Sequence, residues 1–317
     1  MADQNSSVEP IDPYKFLNII YNPSDDTLTR NNHFPSTPIT PDVKNAKDIS
    51  LNTTKKTWVR LFRPNEPSLN RKLPIIVYSH GGGFILQSAS DTVFHNFCAS
   101  MANILPALVV SIEYRLAPES RLPGAYEDTI EAINWVKNQA LDMNGEQWLK
   151  DFADFSNCYL MGSSAGGNIV YHAGLRALSL DLDPLIIKGF ILNSPFFGGS
   201  KRTESELRLI NDTLLPLAVN DLMWELSLPK GCDRGHEYCN PMVDSSYKQN
   251  IGLIEKCFVS VGGEDPLMDR EMEFVKMLKE KGVKVVVWFD KEGLHGMEIT
   301  VPGKDQALFV LLKSFVY

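Results

Sequence analysis

The sequence predicts an α/β fold, a mostly parallel central sheet flanked by helices and closed by a helical cap, and three observations carry that expectation. Short apolar runs alternate along the chain with segments whose apolar residues recur at helical spacing. Most of those runs lack the polar alternation of a half-exposed strand, as strands do when helices cover both faces of their sheet. Two runs feed glycine-rich turns, His80-Gly81-Gly82-Gly83-Phe84 and Gly162-Ser163-Ser164-Ala165-Gly166-Gly167. Open α/β sheets bind ligands at such strand ends.

Residues 1–50 are rich in Asn, Pro, Ser and Thr, with one apolar island at 14–21 spaced for a short helix. The island reads equally as a lid arm over a site or as a docking helix on a loose tail, because sequence does not say where Phe16 and Ile20 pack. Strands follow at 57–62, 72–79, 107–112, 158–161, 189–193, 257–261 and 283–289. Helices are expected at 128–140, where Ile130, Ile133 and Val136 share a face, and at 165–178, 271–281 and 304–315. The stretch from Phe196 to about Asn250 is too long for a simple crossover and carries one helical segment at 220–228. The expectation is one domain over 1–317, with a cap contributed by about 1–50 and 197–250.

The two glycine-rich turns explain each other chemically. Three bare residues in a row exceed what a tight reversal needs and leave backbone N–H groups open to close approach by a ligand atom. Gly162 to Gly166 has the G-x-S-x-G pattern of a nucleophile elbow, in which a strand turns sharply into a helix and leaves Ser164 strained and exposed. A tetrahedral adduct on Ser164 needs donors for its oxygen, and the N–H groups of Gly82, Gly83 and Ala165 are the candidates.

These two blocks, with Tyr114-Arg115-Leu116-Ala117-Pro118-Glu119, resemble the signature blocks of hormone-sensitive-lipase-like α/β-hydrolases, specifically plant carboxylesterases, in the right order over roughly residues 10–317. One departure is Ser163, where that family usually has an acidic residue. The resemblance implies an α/β-hydrolase fold with a triad in the order Ser, Asp or Glu, then His. Of six histidines, His33, His80 and His95 precede the serine, His172 lies in its helix and His236 in the expected cap, which leaves His295 in Gly293-Leu294-His295-Gly296. Glu264, Asp265 and Asp269 compete for the acid, and the resemblance places it before the proline, at Asp265. His80 and the Tyr114–Glu119 block read as structural bracing.

The function implied is a serine carboxylesterase acting on short-chain, acetyl-type esters, with activity rising through a histidine-like pKa near ~6.5. Phe84, Phe196, Phe197, Leu215, Trp224 and Leu294 lie in or beside the site loops and are the candidate substrate-binding residues. The same scaffold also serves cyclases and acyltransferases of plant specialised metabolism, and gibberellin-receptor-like binding proteins, which depart from the triad at the histidine. No cofactor or metal is expected, because the nucleophile is the protein's own. Cys232 and Cys239 near His236 read as a polar loop, since no pair has zinc-ligand spacing. A net charge of −8 without a basic cluster argues against nucleic acid or anionic membrane, so the expected partner is a small-molecule ester. Five scattered cysteines and the lack of a signal-like start place the expectation in the cytoplasm, and nothing fixes an oligomeric state.

Overall fold

The computed structural model of the protein describes residues 11–40, 43–67 and 70–317, so the first ten residues of the expected arm lie outside the described residues. Asp12 opens the arm by accepting the N–H groups of Tyr14 and Lys15 at 3.0 and 3.3 Å, and Pro13 follows at the first helical position. The resulting helix, α1 (Pro13–Phe16), lasts one turn. Asn18, at φ 48°, ends it, and the rest of the island becomes a hairpin of β1 (Ile19–Asn22) and β2 (Thr27–Arg30). The helix expected over 14–21 is therefore corrected. Ile19 and Ile20 point to opposite faces at strand period, one buried and the other exposed.

The main sheet begins earlier than the sequence indicates, with β3 (Ala46–Asn52) antiparallel to β4 (Thr57–Phe62). It continues through β5 (Leu73–Ser79), β6 (Leu108–Glu113), β7 (Ala153–Ser163), β8 (Ile187–Asn193), β9 (Lys256–Gly262) and β10 (Lys284–Asp290). The spatial order is β10-β9-β8-β7-β5-β6-β4-β3, parallel from β10 to β6 and antiparallel beyond. This is the expected α/β-hydrolase architecture, a mostly parallel sheet of eight strands covered by helices.

The missing alternation in the strands has a direct cause. Along β5, Ile75 and Val77 enter one apolar core while Ile76 and Tyr78 enter the other, and the whole strand is buried. The first core packs against α3 (Gly124–Leu141), α5 (Ala165–Ala177) and α8 (Met268–Glu280). The second packs against α2 (Thr92–Ile104) and α10 (Lys304–Val316). Shorter helices lie at α4 (Gln147–Phe152), α6 (Glu204–Arg208) and α9 (Met297–Thr300), with one 3-10 turn at Lys248–Leu253. The segment after β8 also holds α7 (Leu217–Ser227), which lies over the strand ends beside α1. Among the described residues no helix is long and apolar enough to cross a membrane.

Candidate active site

Strand β7 ends at Ser163 and α5 starts at Ala165, so Ser164 alone makes the turn, at φ 53° and ψ −119°. An L residue is strained there, and a hydrogen bond from its N–H to Asn193 O at 2.8 Å helps hold it. The turn is possible because Gly166 touches the end of β5: a Cβ on Gly166 would stand 1.9 Å from Ser79 O. The elbow and the glycine loop are thus in backbone contact, as their paired reading requires.

Parallel pairing of β9 with β10 sets Gly262 beside Asp290, so the loops leaving both strands emerge together. They are tied by Glu264 N–H donating to Gly293 O at 3.0 Å and Gly263 N–H to Asp290 O at 2.8 Å. This places Asp265 against His295. Nδ1 of the imidazole lies 2.8 Å from Asp265 Oδ2, and Nε2 lies 2.9 Å from Ser164 Oγ. A carboxylate only accepts, so Nδ1 carries the proton and donates, leaving the Nε2 lone pair to accept the serine hydroxyl. Asp265 Oδ1 takes the Leu267 N–H at 2.8 Å. The two competing carboxylates are turned elsewhere: Asp269 accepts the Ser205 N–H at 2.8 Å, and Glu264 pairs with Arg208 at 2.7 Å.

Burial of the imidazole works against its charged form, but the charge and hydrogen bond of Asp265 outweigh it and hold the His295 pKa above its ordinary value.

Gly82 and Gly83 adopt φ of 103° and 60°, and their N–H groups, like that of Ala165, meet no protein acceptor among the described residues. His80 braces this loop. It is fully buried, its Nδ1 lies 2.8 Å from Gly81 O, and its ring stacks on Tyr114 at 4.3 Å. Tyr114 donates to His80 O at 2.9 Å, Ala117 N–H donates to Phe84 O at 2.9 Å, and Arg115 grips Asp128 through two nitrogens. The Tyr114–Glu119 block is a scaffold under the loop.

Ser164 and His295 open into a cavity of about 230 Å³ whose lining carries no ionisable side chain other than His295. Of the six residues expected to line it, the structure brings only Leu215 there. Phe84 turns away at φ 66° and packs with Phe196 and Trp224, whose rings stack at 4.7 Å, while Phe197 joins Phe274 in the core. Leu294 is 48% exposed, because its neighbour His295 is the residue of that loop turned inward. Phe16, whose place the sequence left open between lid arm and loose tail, lines the cavity, and the walls the sequence did not mark include Leu17 and Phe34 from the arm, Leu214 and Met223 beside Leu215, and Ile299 after the histidine. No local motif flags them; only chain topology gathers them. Ile20, the other arm residue in question, is exposed.

The cysteine-histidine loop forms no metal cluster: Cys232 is exposed, and His236 Nδ1 accepts the Tyr238 N–H at 3.2 Å. Four of the five cysteines are buried, and all are free.

The sequence matches the α/β-hydrolase fold family over residues 76–299. It is 54% identical to a 3-O-acetylpapaveroxine carboxylesterase of Papaver somniferum, covering 96% of this chain and 99% of that one. Carboxylesterase 20 of Arabidopsis thaliana is 48% identical over 98% of this chain and 99% of its own length. An esterase from Pyrobaculum calidifontis superposes with a TM-score of 0.72 at 25% identity, covering 86% and 85% of the two chains.

Proposed function

The chain belongs to the α/β-hydrolase family, among its plant carboxylesterases, and from that premise we propose a serine esterase that cleaves short-chain acyl esters of small uncharged molecules. One observation carries the mechanism: Asp265, His295 and Ser164 form an unbroken hydrogen-bonded line of 2.8 and 2.9 Å ending at the cavity. Ser164 Oγ attacks the ester carbonyl while His295 Nε2 takes its proton, and Asp265 holds the imidazole in that tautomer and stabilises its cation. The new oxyanion meets the free N–H groups of Gly82, Gly83 and Ala165. Collapse breaks the bond to the alkoxide, which leaves with the proton from Nε2. Water then repeats the attack with His295 as base, releasing the acid and restoring Ser164. The residues suffice for this chemistry without a cofactor.

The arm and the segment 197–250 act as the cap of a single domain, since both supply cavity walls. The small volume and apolar walls favour acetyl and butyryl groups, and the poppy relative, named for an acetyl ester, supports the acetyl end of that range. Free, mostly buried thiols suit a cytosolic setting. A fluorophosphonate should add to Ser164 alone in the folded protein, as read by intact mass and peptide mapping. Incubating acetyl esters with wild type and Ser164→Ala, with and without a second alcohol, should then give free acid from wild type only. Labelling elsewhere sinks the serine mechanism, and acyl transfer to the second alcohol in place of free acid identifies a transferase.

A further inference from the structure

Gln87 is the residue of the cavity wall that folding alone leaves unexplained. It closes the turn that follows the glycine loop, in which the Ile85 and Leu86 N–H groups both donate to Gly82 O. Its φ is 74°, a conformation that suits glycine and strains any other side chain except, mildly, asparagine or aspartate. A glutamine kept at such a position needs a reason in its side chain. Its amide makes no hydrogen bond among the described residues, so neither turn chemistry nor bracing supplies one. Instead it is half-buried in the cavity wall. Its Oε1 stands 3.1 Å from where a Cβ on Gly82 would be, against the loop whose N–H groups face the reacting carbonyl. The other amide of the lining, Asn32, is already occupied, donating to Leu17 O at 2.6 Å.

Resting on the esterase reading above, we infer that Gln87 is a specificity-determining residue whose free amide hydrogen-bonds an uncharged oxygen of the substrate within a few bonds of the scissile carbonyl. The preferred esters then carry a hydroxyl, ether or ketone oxygen close to the ester group. Among the described residues an anionic substituent finds no lysine or arginine in this cavity. Strain at a site residue persists when the group it presents is used, and here the oxyanion loop lies directly beside it.

The test uses two pairs of esters that differ by one oxygen in place of a methylene: methoxyacetate against butyrate of p-nitrophenol on the acid side, and 2-methoxyethyl against butyl acetate on the alcohol side. The kcat/KM ratio within each pair cancels general effects on turnover, and comparing it between wild type and variant cancels intrinsic reactivity. Gln87→Met keeps length and removes the amide; Gln87→Gly removes the side chain and frees the backbone. For one of the pairs both variants should lower the oxygen-to-methylene ratio by roughly 2- to 12-fold, the worth of one net hydrogen bond. Gln87→Gly should in addition raise Tm by relieving the strain. Ratios unchanged within about twofold on both pairs, with wild type active, overturn the role of Gln87. A wild type inactive on all four esters overturns the esterase reading itself.

Discussion

In the proposed mechanism the protonation of His295 decides when the reaction runs. The imidazole works as a base only when neutral, so kcat/KM on an uncharged ester rises with pH as His295 loses its proton. Burial opposes the cation while Asp265 favours it, with the net effect upward, so the midpoint of that rise should lie above the ordinary ~6.5. A profile measured from acid to alkaline pH on p-nitrophenyl acetate checks it, and a midpoint at or below that value contradicts the buried pair. Ser164 was legible because the elbow motif demands particular residue types around it, whereas His295 was reached by elimination under the triad order that the resemblance implies. Asp265 needed the resemblance, since Glu264 and Asp269 stand in the same loop and only the fold turns them toward Arg208 and Ser205. Most of the cavity walls were not legible, Leu215 and the arm residue Phe16 excepted. Trp224 and Leu215 lie on neighbouring parts of one segment, yet one is stacked in the core and the other faces the cavity.

At the scale of elements, the central strands and most long helices could be read because burial on both faces of a parallel strand leaves an unbroken apolar run. The helix α2 escaped, although Phe94, Phe97, Cys98 and Met101 line its buried face. Its N-cap residue Asp91 makes no capping bond, spending its carboxylate on the Ser88 N–H instead, and its polar face is short. The arm escaped for another reason: strands of four residues each are too short for their period to be separated from a helical turn. That hairpin is clasped from both ends. Asp26 in its turn meets Arg121 at 2.8 Å, and Arg30 donates to Ile85 O at 2.6 Å, to Ala117 O at 2.8 Å and to Glu119 at 2.8 Å. Arg30 therefore couples the arm to the segment that follows the glycine loop. Arg30→Ala strands these acceptors at a cost of about 1–3 kcal/mol and loosens the seats of Phe16 and Phe34. KM should rise by more than kcat falls, with a lower Tm. An unchanged KM beside a lowered Tm would show that the arm stabilises the fold without shaping the cavity.

Across the whole molecule, the site imposes a cost on stability that pH should expose. Behind Asp265 lie Glu271 on the first turn of α8 and Glu298 on the first turn of α9, essentially without exposure, and neither carboxyl oxygen of Glu271 has a hydrogen-bond donor among the described residues. A helix N-terminus favours an anion by about 0.3–1 kcal/mol, whereas burying an unpaired charge costs several times that, so the dipole loses and Glu271 stays protonated. Burial, then the charges of Asp265 and Glu298, hold the Glu271 pKa well above the usual carboxyl range. Folded protein thus keeps a proton that the unfolded chain releases above about pH 4.3. Where the unfolded state binds fewer protons, stability falls as pH rises, by about 1.4 kcal/mol per unit per proton, until the folded pKa is passed. Glutamine imitates the neutral acid and does not titrate. Glu271→Gln should accordingly gain on wild type steadily as pH is raised from 5 to 9, with the two closest at the acid end. Denaturant midpoints taken along that range decide it: curves that stay parallel mean that Glu271 is ionised in the folded protein and that a counter-charge holds it.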